Sequence, residues 1–368
     1  MAVTYAVNGA SFTSINAACT EIEASHDYAT DGVAEVDVSI TTADTTEVTV
    51  GAAFAGTPSS TNYIKIEATA GAKHDGTYNA SKQRLETSGT GHCMEISEDF
   101  VHLKFLAIKQ AGSTASAEGI RVLADANDVV IEKCVIVCNN IADQDCIYTG
   151  DWASAVTVFD CSLTVGGSSG RAGIHQQNFS GTNTSTYHVE HCTINSNGVT
   201  DINGGGIASR EDTASVNNMN VDNTISFGAA GSAEDYLRWV GSGDPAFSGQ
   251  GNASEDTTCQ TRFGATNNLN SQTVSVTDEA ATEILVTNLT GGSEDYQIIA
   301  GGSSSDTMID NAIDGATRDS RLDITVDIAG NARPGTYTDR DSGAFEVASA
   351  GGLSIPIVMH HHLQHNLS

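Results

Sequence analysis

Glycosidic bonds are cut by pairs of carboxyl groups, one protonating the leaving oxygen and the other activating water or attacking the sugar. Asp143 and Asp145, in Asp143-Gln-Asp145-Cys-Ile, have the residue types for that work, and Asp160 follows on a strand of the same repeat. A second set, Asp201, Arg210, Glu211 and Asp212, places carboxylates where they could gather around a divalent cation beside an arginine. A third lies at the C-terminus, where His360, His361, His362 and His365 could bind a transition metal. His361 and His365 would share a face if that segment is helical. No carboxylate or cysteine stands beside these histidines, so a polar docking peptide is the preferred reading. Solvated turn residues are the preferred reading of both acidic sets. Other catalytic templates fail. The chain has no Gly-x-Ser-x-Gly, no phosphate loop, no His-Glu-x-x-His and no dinucleotide fingerprint. Asp310-Asn-Ala-Ile-Asp-Gly315 fails as a calcium loop because Ala312 and Arg321 fall where oxygen ligands belong.

The elements that must position these residues recur. Short apolar strands begin at Met94, Ile120, Ile147, Ile174 and Ile207, with spacings of 26, 27, 27 and 33 residues. Each is followed by a longer run: Val101–Ile108, Val129–Ile136, Val156–Leu163, Tyr187–Ile194 and Met219–Ile225. Cys134, Cys161 and Cys192 take one position of that run, and Asn223 is aligned with them in the next. Alternation within the runs has period two rather than 3.6, so the repeat is built of strands. A turn of this length holds three short strands, and stacking turns about 4.8 Å apart pairs each strand with its equivalents. The predicted fold class is therefore all-β, a parallel β-helix solenoid with an N-terminal capping helix and an irregular C-terminal region.

Over about residues 60 to 345 the chain resembles the right-handed, single-stranded parallel β-helix superfamily of pectate lyases, polygalacturonases and virus tailspikes. Phe12–Ile22 looks like the short amphipathic helix that opens many such proteins, with Ser14 as N-cap and Ile15, Ala18 and Ile22 on one face. Asp295–Ser303, Asp327–Gly335 and Ser342–Glu346 are similar to the closing segment of many extracellular and viral β-helix proteins. The polygalacturonase likeness would make Asp143, Asp145 and Asp160 the catalytic carboxylates. That family's Gly-His-Gly and Arg-Ile-Lys elements are missing, the nearest fragments being Ala172-Gly-Ile-His175 and Ser209-Arg-Glu211. A pectate-lyase reading would give Asp201, Glu211 and Asp212 to calcium and make Arg210 the base. The organisation expected is an N-terminal cap and first strands over 1–60, regular coils over 61–228, irregular coils and closing segment over 229–347, and a linker and docking tail over 348–368.

Composition fits a narrow core. Aromatics are 6% of the 368 residues and glycines number 37, which suits small and β-branched filling. The net charge of −30 opposes binding to a phosphate backbone, so nucleic acid is not an expected partner. It leaves room for a divalent cation, although no cofactor is expected. Nothing is long and apolar enough to span a bilayer, and Met1-Ala-Val-Thr-Tyr lacks a basic region followed by an apolar one. The eight cysteines miss zinc spacings and, for the stacked three, read as small buried hydrophobes.

After Ala348-Ser-Ala-Gly-Gly352 the last residues, Leu353 to Ser368, are too apolar for a solvated tail. The segment Ser-Ile-Pro-Ile-x-Met-His-His resembles a terminal segment of predicted bacteriophage virion proteins whose preceding domains are unrelated. The expectation is a non-enzymatic structural or adhesive virion protein, such as a tail spike, tail fibre or surface decoration, assembled in the host cytoplasm. It would join other virion proteins through residues 353–368 and could contact a cell-surface glycan. A homo-oligomer is expected, with a trimer the form viral β-helices often take. The alternatives are a polysaccharide lyase or glycoside hydrolase of the tailspike depolymerase kind, and a bacterial cell-surface or filament-forming protein located outside the cell.

Overall fold

Strands with an apolar residue at every second position must turn that face toward other strands. The computed structural model describes residues 2–51, 55–123, 126–138, 143–150, 155–166, 172–178, 184–211, 216–240, 245–275, 283–289, 295–298, 308, 312–313, 318–336 and 339–347. Within these residues three parallel sheets run the length of a solenoid. Sheet 1 has seven strands: Val48–Val50, Met94–Ile96, Ile120–Val122, Ile147–Thr149, Ala172–Asn178, Gly205–Glu211 and Glu234–Val240. Sheet 2 has nine, from Val3–Val7 to Ala246–Ser248, and sheet 3 has eight, from Ala43–Asp44 to Ala253–Ser254. The chain visits sheets 1, 2 and 3 in turn, so each circuit is one coil. The pairing extends beyond both ends of the stretch read as regular coils, 61–228.

The repeat read from the sequence is the observed register. Ile120 pairs with Met94 and Ile147, and Ile174 with Ile147 and Ile207. Val129, Val156, Tyr187 and Met219 pair in succession along sheet 2. Their side chains are buried inside the coil, as are Cys134, Cys161 and Cys192. These thiols stack as expected, with the Cys134 amide donating to Cys161 Sγ at 3.4 Å. The fourth rung needs correction. Cys192 is followed in the column by Thr224, whose Oγ1 accepts from the Cys192 amide at 3.3 Å, and not by Asn223. Aligning the runs on their final isoleucines causes the slip, because Ile225 pairs with Thr193 and Ile194 with Ser226.

Asn223 belongs to a different column. Phe105, Lys133, Asp160, His191 and Asn223 hold φ between 51° and 55° at the sharp corner joining sheet 2 to sheet 3. Left-handed backbone costs a residue other than glycine about 1–2 kcal/mol. The sheets on either side over-determine the corner, and their ladders offset that cost at each coil.

Both ends of the coil stack are covered. The helix Ile15–Ser25 buries Ile15, Ala18, Cys19 and Ile22, and Ser14 Oγ accepts from the Ala17 amide at 3.1 Å, as the capping pattern requires. Its Ile15 amide donates to Asp44 Oδ2 at 2.8 Å, tying the cap to the first strand of sheet 3. At the other end a helix over Thr258–Phe263 sets the Phe263 ring edge-on to Tyr236 and Phe247.

The C-terminal region folds back over the solenoid. Tyr296 and Ile298 join Val135, Val137, Phe227 and Phe345 in a second apolar cluster on the outside of sheet 3. Residues 318–336 and 339–347 form a strap along the left-handed corner. It runs past Glu190, Asp128 and Glu132, turns through 327–331, and returns past Asp160 to Thr193 and Asn223. Phe345 seals its turn against Gly76, where φ is 90° and any Cβ would lie 2.3 Å from the ring.

Candidate functional site

Asp145 and Asp160 lie on different sides of the solenoid. Asp145 sits in the turn leading into sheet 1 and is 1% exposed. Its Oδ1 accepts from the Ala172 amide at 2.7 Å, and its Oδ2 lies 2.9 Å from His175 Nδ1. The His175 ring stands edge-on to Tyr148, and Arg121 reaches over the Tyr148 ring from the preceding rung, in a row that continues to Glu95. Arg121 Nη1 approaches His92 Nε2 at 2.9 Å, and burial together with this guanidinium holds the His92 imidazole down at about 4. An Asp–His pair fixes an imidazole's orientation, the usual preparation for general-base work. Here both partners are buried. Sequence reading passed over this pair, although repeat arithmetic could have found it, because His175 is the rung after Tyr148.

Asp143 adopts φ 65° in the same turn, and its carbonyl accepts from the Ser116 amide. Asp201 caps a turn, its Oδ1 accepting from the Asn203 amide at 2.8 Å. Arg210 pairs with Gln177 in sheet 1, and the Asn217 amide donates to Glu211 Oε2 at 3.3 Å. Asp212 and the four histidines His360, His361, His362 and His365 lie outside the described residues, as does the whole of 353–368. Among the described residues, no group of three or more metal-type side chains converges. Nor is any helix among them long and apolar enough to cross a membrane.

Asp160 sits at the left-handed corner beneath the strap, fully buried in a chain of charges. His102 Nε2 contacts Glu132 Oε2 at 2.8 Å, and Lys104 and Lys133 reach Glu132 Oε1 at 3.2 and 2.6 Å. Lys133 Nζ also lies 3.6 Å from Asp160 Oδ2. From the strap, Arg333 donates to Asp160 Oδ1 at 2.7 Å and to Glu346 Oε2 at 2.9 Å. Burial pushes Glu132 up, but the His102 hydrogen bond and the two lysine charges outweigh it and hold the carboxyl at about 2. At Asp160 burial wins over Arg333 and Lys133, raising it to about 7. Glu346 is raised to about 7 in the same way. The sequence holds no local sign of this network, because its partners are up to 173 positions apart.

An accessible cleft of about 250 Å³ lies between the strap and the outer face of sheet 2. Thr157, His188 and Asn220 line it from consecutive rungs, so their polar atoms repeat along the solenoid axis at about 4.8 Å. Glu190 and Asp222 form the adjoining row, and Arg318 and Asp319 close the far wall. Arg318 clamps Glu190 with Nε at 2.9–3.0 Å and Nη2 at 2.8 Å. Burial lifts Asp222 to about 6, with the nearby Glu190 adding to the rise against the Gln250 amide hydrogen bond. Burial also lowers His188, leaving it a neutral donor and acceptor near pH 7. Such a wall can hydrogen-bond a chain of hydroxyl groups. No protein-family model matches this sequence, and no curated protein matches it.

Proposed function

We propose that this chain is a non-enzymatic structural or adhesive component of a phage-like particle, a solenoid body displayed outward and joined to its neighbours through residues 353–368. One observation supports the non-enzymatic part most. Asp145 and Asp160, the carboxylates with the best claim to glycan chemistry, are both buried and bonded within the scaffold, where a polymer cannot reach them. The sheet 2 cleft is the place for a cell-surface glycan, held by Thr157, His188 and Asn220. The test is direct. Purified protein incubated with host-surface polysaccharide should bind it without releasing reducing ends, and the triple change of Thr157, His188 and Asn220 to Ala should weaken binding at least tenfold. Release of sugar that depends on Asp145 would overturn the proposal.

A second reading, a depolymerase, has one observation in its favour. Asp222 and Glu190 stand on adjacent rungs in the open cleft, and an acid at about 6 can donate a proton near neutral pH. Against it, Glu190 is already neutralised by Arg318. Sugar release abolished by Asp222→Asn would establish it.

A further inference from the structure

The corner beneath the strap holds more than an ion network. We infer that Lys133 and Asp160 are the two halves of an intramolecular isopeptide bond that the folded chain forms unaided, with Glu132 orienting the lysine and Arg333 as the stabiliser of the oxyanion. Both partners are fully buried, on successive coils. Their side chains meet at 3.6 Å, from Lys133 Nζ to Asp160 Oδ2. Asp160 Oδ2 has no hydrogen-bond partner, whereas Oδ1 accepts from Arg333 Nη2 at 2.7 Å. Glu132 Oε1 lies 2.6 Å from the amine. The rings of Phe159 and Phe105 stand 5.4 and 5.9 Å from Nζ, and the strap's Asp323 carbonyl closes over it.

Each part has a task in amide formation. Glu132 orients the lysine, whose ammonium passes a proton to the neighbouring Asp160 carboxylate, and the free amine attacks Cγ of the resulting acid. Negative charge builds on Oδ1, where the Arg333 guanidinium already donates. The N–Cγ bond forms and the Cγ–Oδ2 bond breaks. Of the ammonium's three hydrogens, one stays on the amide nitrogen and two end on the departing Oδ2, which leaves as water. No oxidant, nucleotide or further reactant is consumed. Holding the two groups together supplies the effective concentration that an ordinary amine and acid lack in water. The acid form of Asp160 is accessible near neutral pH, because burial raises that carboxyl to about 7.

Intact-mass measurement on the purified full-length chain, followed by protease digestion and fragmentation of the peptides, tests this without any variant. The expected chain is lighter than its sequence mass by one water, and the peptide containing Lys133 is joined to the one containing Asp160. Lys133→Arg, which keeps the charge but removes the nucleophile, and Glu132→Gln should each restore the full mass. A wild-type chain of full sequence mass with separate peptides, or a lost water traced to any other pair, would overturn the inference. A linked Glu132→Gln chain would overturn the role given to Glu132.

Discussion

At the scale of single residues, the thiol column shows what the interior of this solenoid tolerates. Burial pushes the Cys134 and Cys192 thiols well up, with the hydrogen bonds to Cys161 adding to the rise, so little thiolate is present for alkylation. Native protein should therefore react with iodoacetamide at these positions only on unfolding, as read by peptide mass mapping. Because Thr224 already places a hydroxyl in the column, Cys161→Ser should be tolerated at a cost of about 1–2 kcal/mol in denaturant melts. Cys161→Asp would bury an unpaired charge and should yield no soluble protein. Soluble, folded Cys161→Asp protein would show that this position is not interior. The column itself was legible in the sequence, since identical residues recur at a near-constant interval within strands of known alternation. Its fourth member was misplaced because runs of unequal length were aligned at their ends rather than at their inward-facing Val189 and Val221.

At the scale of elements, the strap lies beyond the reach of sequence reading. Arg318, Arg321 and Arg333 look like scattered surface charges in the chain, yet each meets a carboxylate of the solenoid: Glu190, Asp128 and Asp160. Such contacts join positions too far apart for spacing or periodicity to register. The closing motifs were singled out by likeness alone, while their place over the charged corner came only from the fold. Removing Arg333 would leave Glu346 buried without its counter-charge, and breaking a buried pair from one side costs about 3–5 kcal/mol. Arg333→Ala should therefore lower the denaturation midpoint and expose 318–347 to limited proteolysis before the coils. Unchanged proteolysis would mean the strap is held by its apolar contacts, Phe345 and Ile328, rather than by charge. The Asp145–His175 pair differs: its members are 30 residues apart, and the coil register that brings them together is within reach of the repeat spacing.

At the scale of the whole molecule, buried carboxyls set a pH preference. Glu98, Asp222 and Glu346 are raised, to about 7, 6 and 7, in each case chiefly by burial. A carboxyl raised on folding binds its proton more tightly in the native state, so stability falls as pH climbs from about 4 to about 7. Glu132 acts in the opposite sense, since its lowered value stabilises the fold above the ordinary carboxylate range and is lost as pH falls toward about 2. Thermal unfolding should accordingly occur several degrees higher at pH 5.5 than at pH 8, helped by relief of the repulsion behind a net charge of −30. A midpoint that rises from pH 5.5 to pH 8 would contradict these assignments. The ladder of coils was legible over 61–228 because period-two burial and a fixed coil length are written into consecutive residues. Partner and location are not, since they depend on surfaces that many solenoids could present. The central claim, that the chain is a particle component attached through its C-terminal segment, is tested most directly by quantitative mass spectrometry of purified particles from cells expressing either the full chain or a chain lacking 353–368. The full chain should appear at a constant ratio to the other particle proteins while the shortened chain stays folded and soluble in the supernatant; equal incorporation of both, or absence of the full chain from particles, would contradict the account.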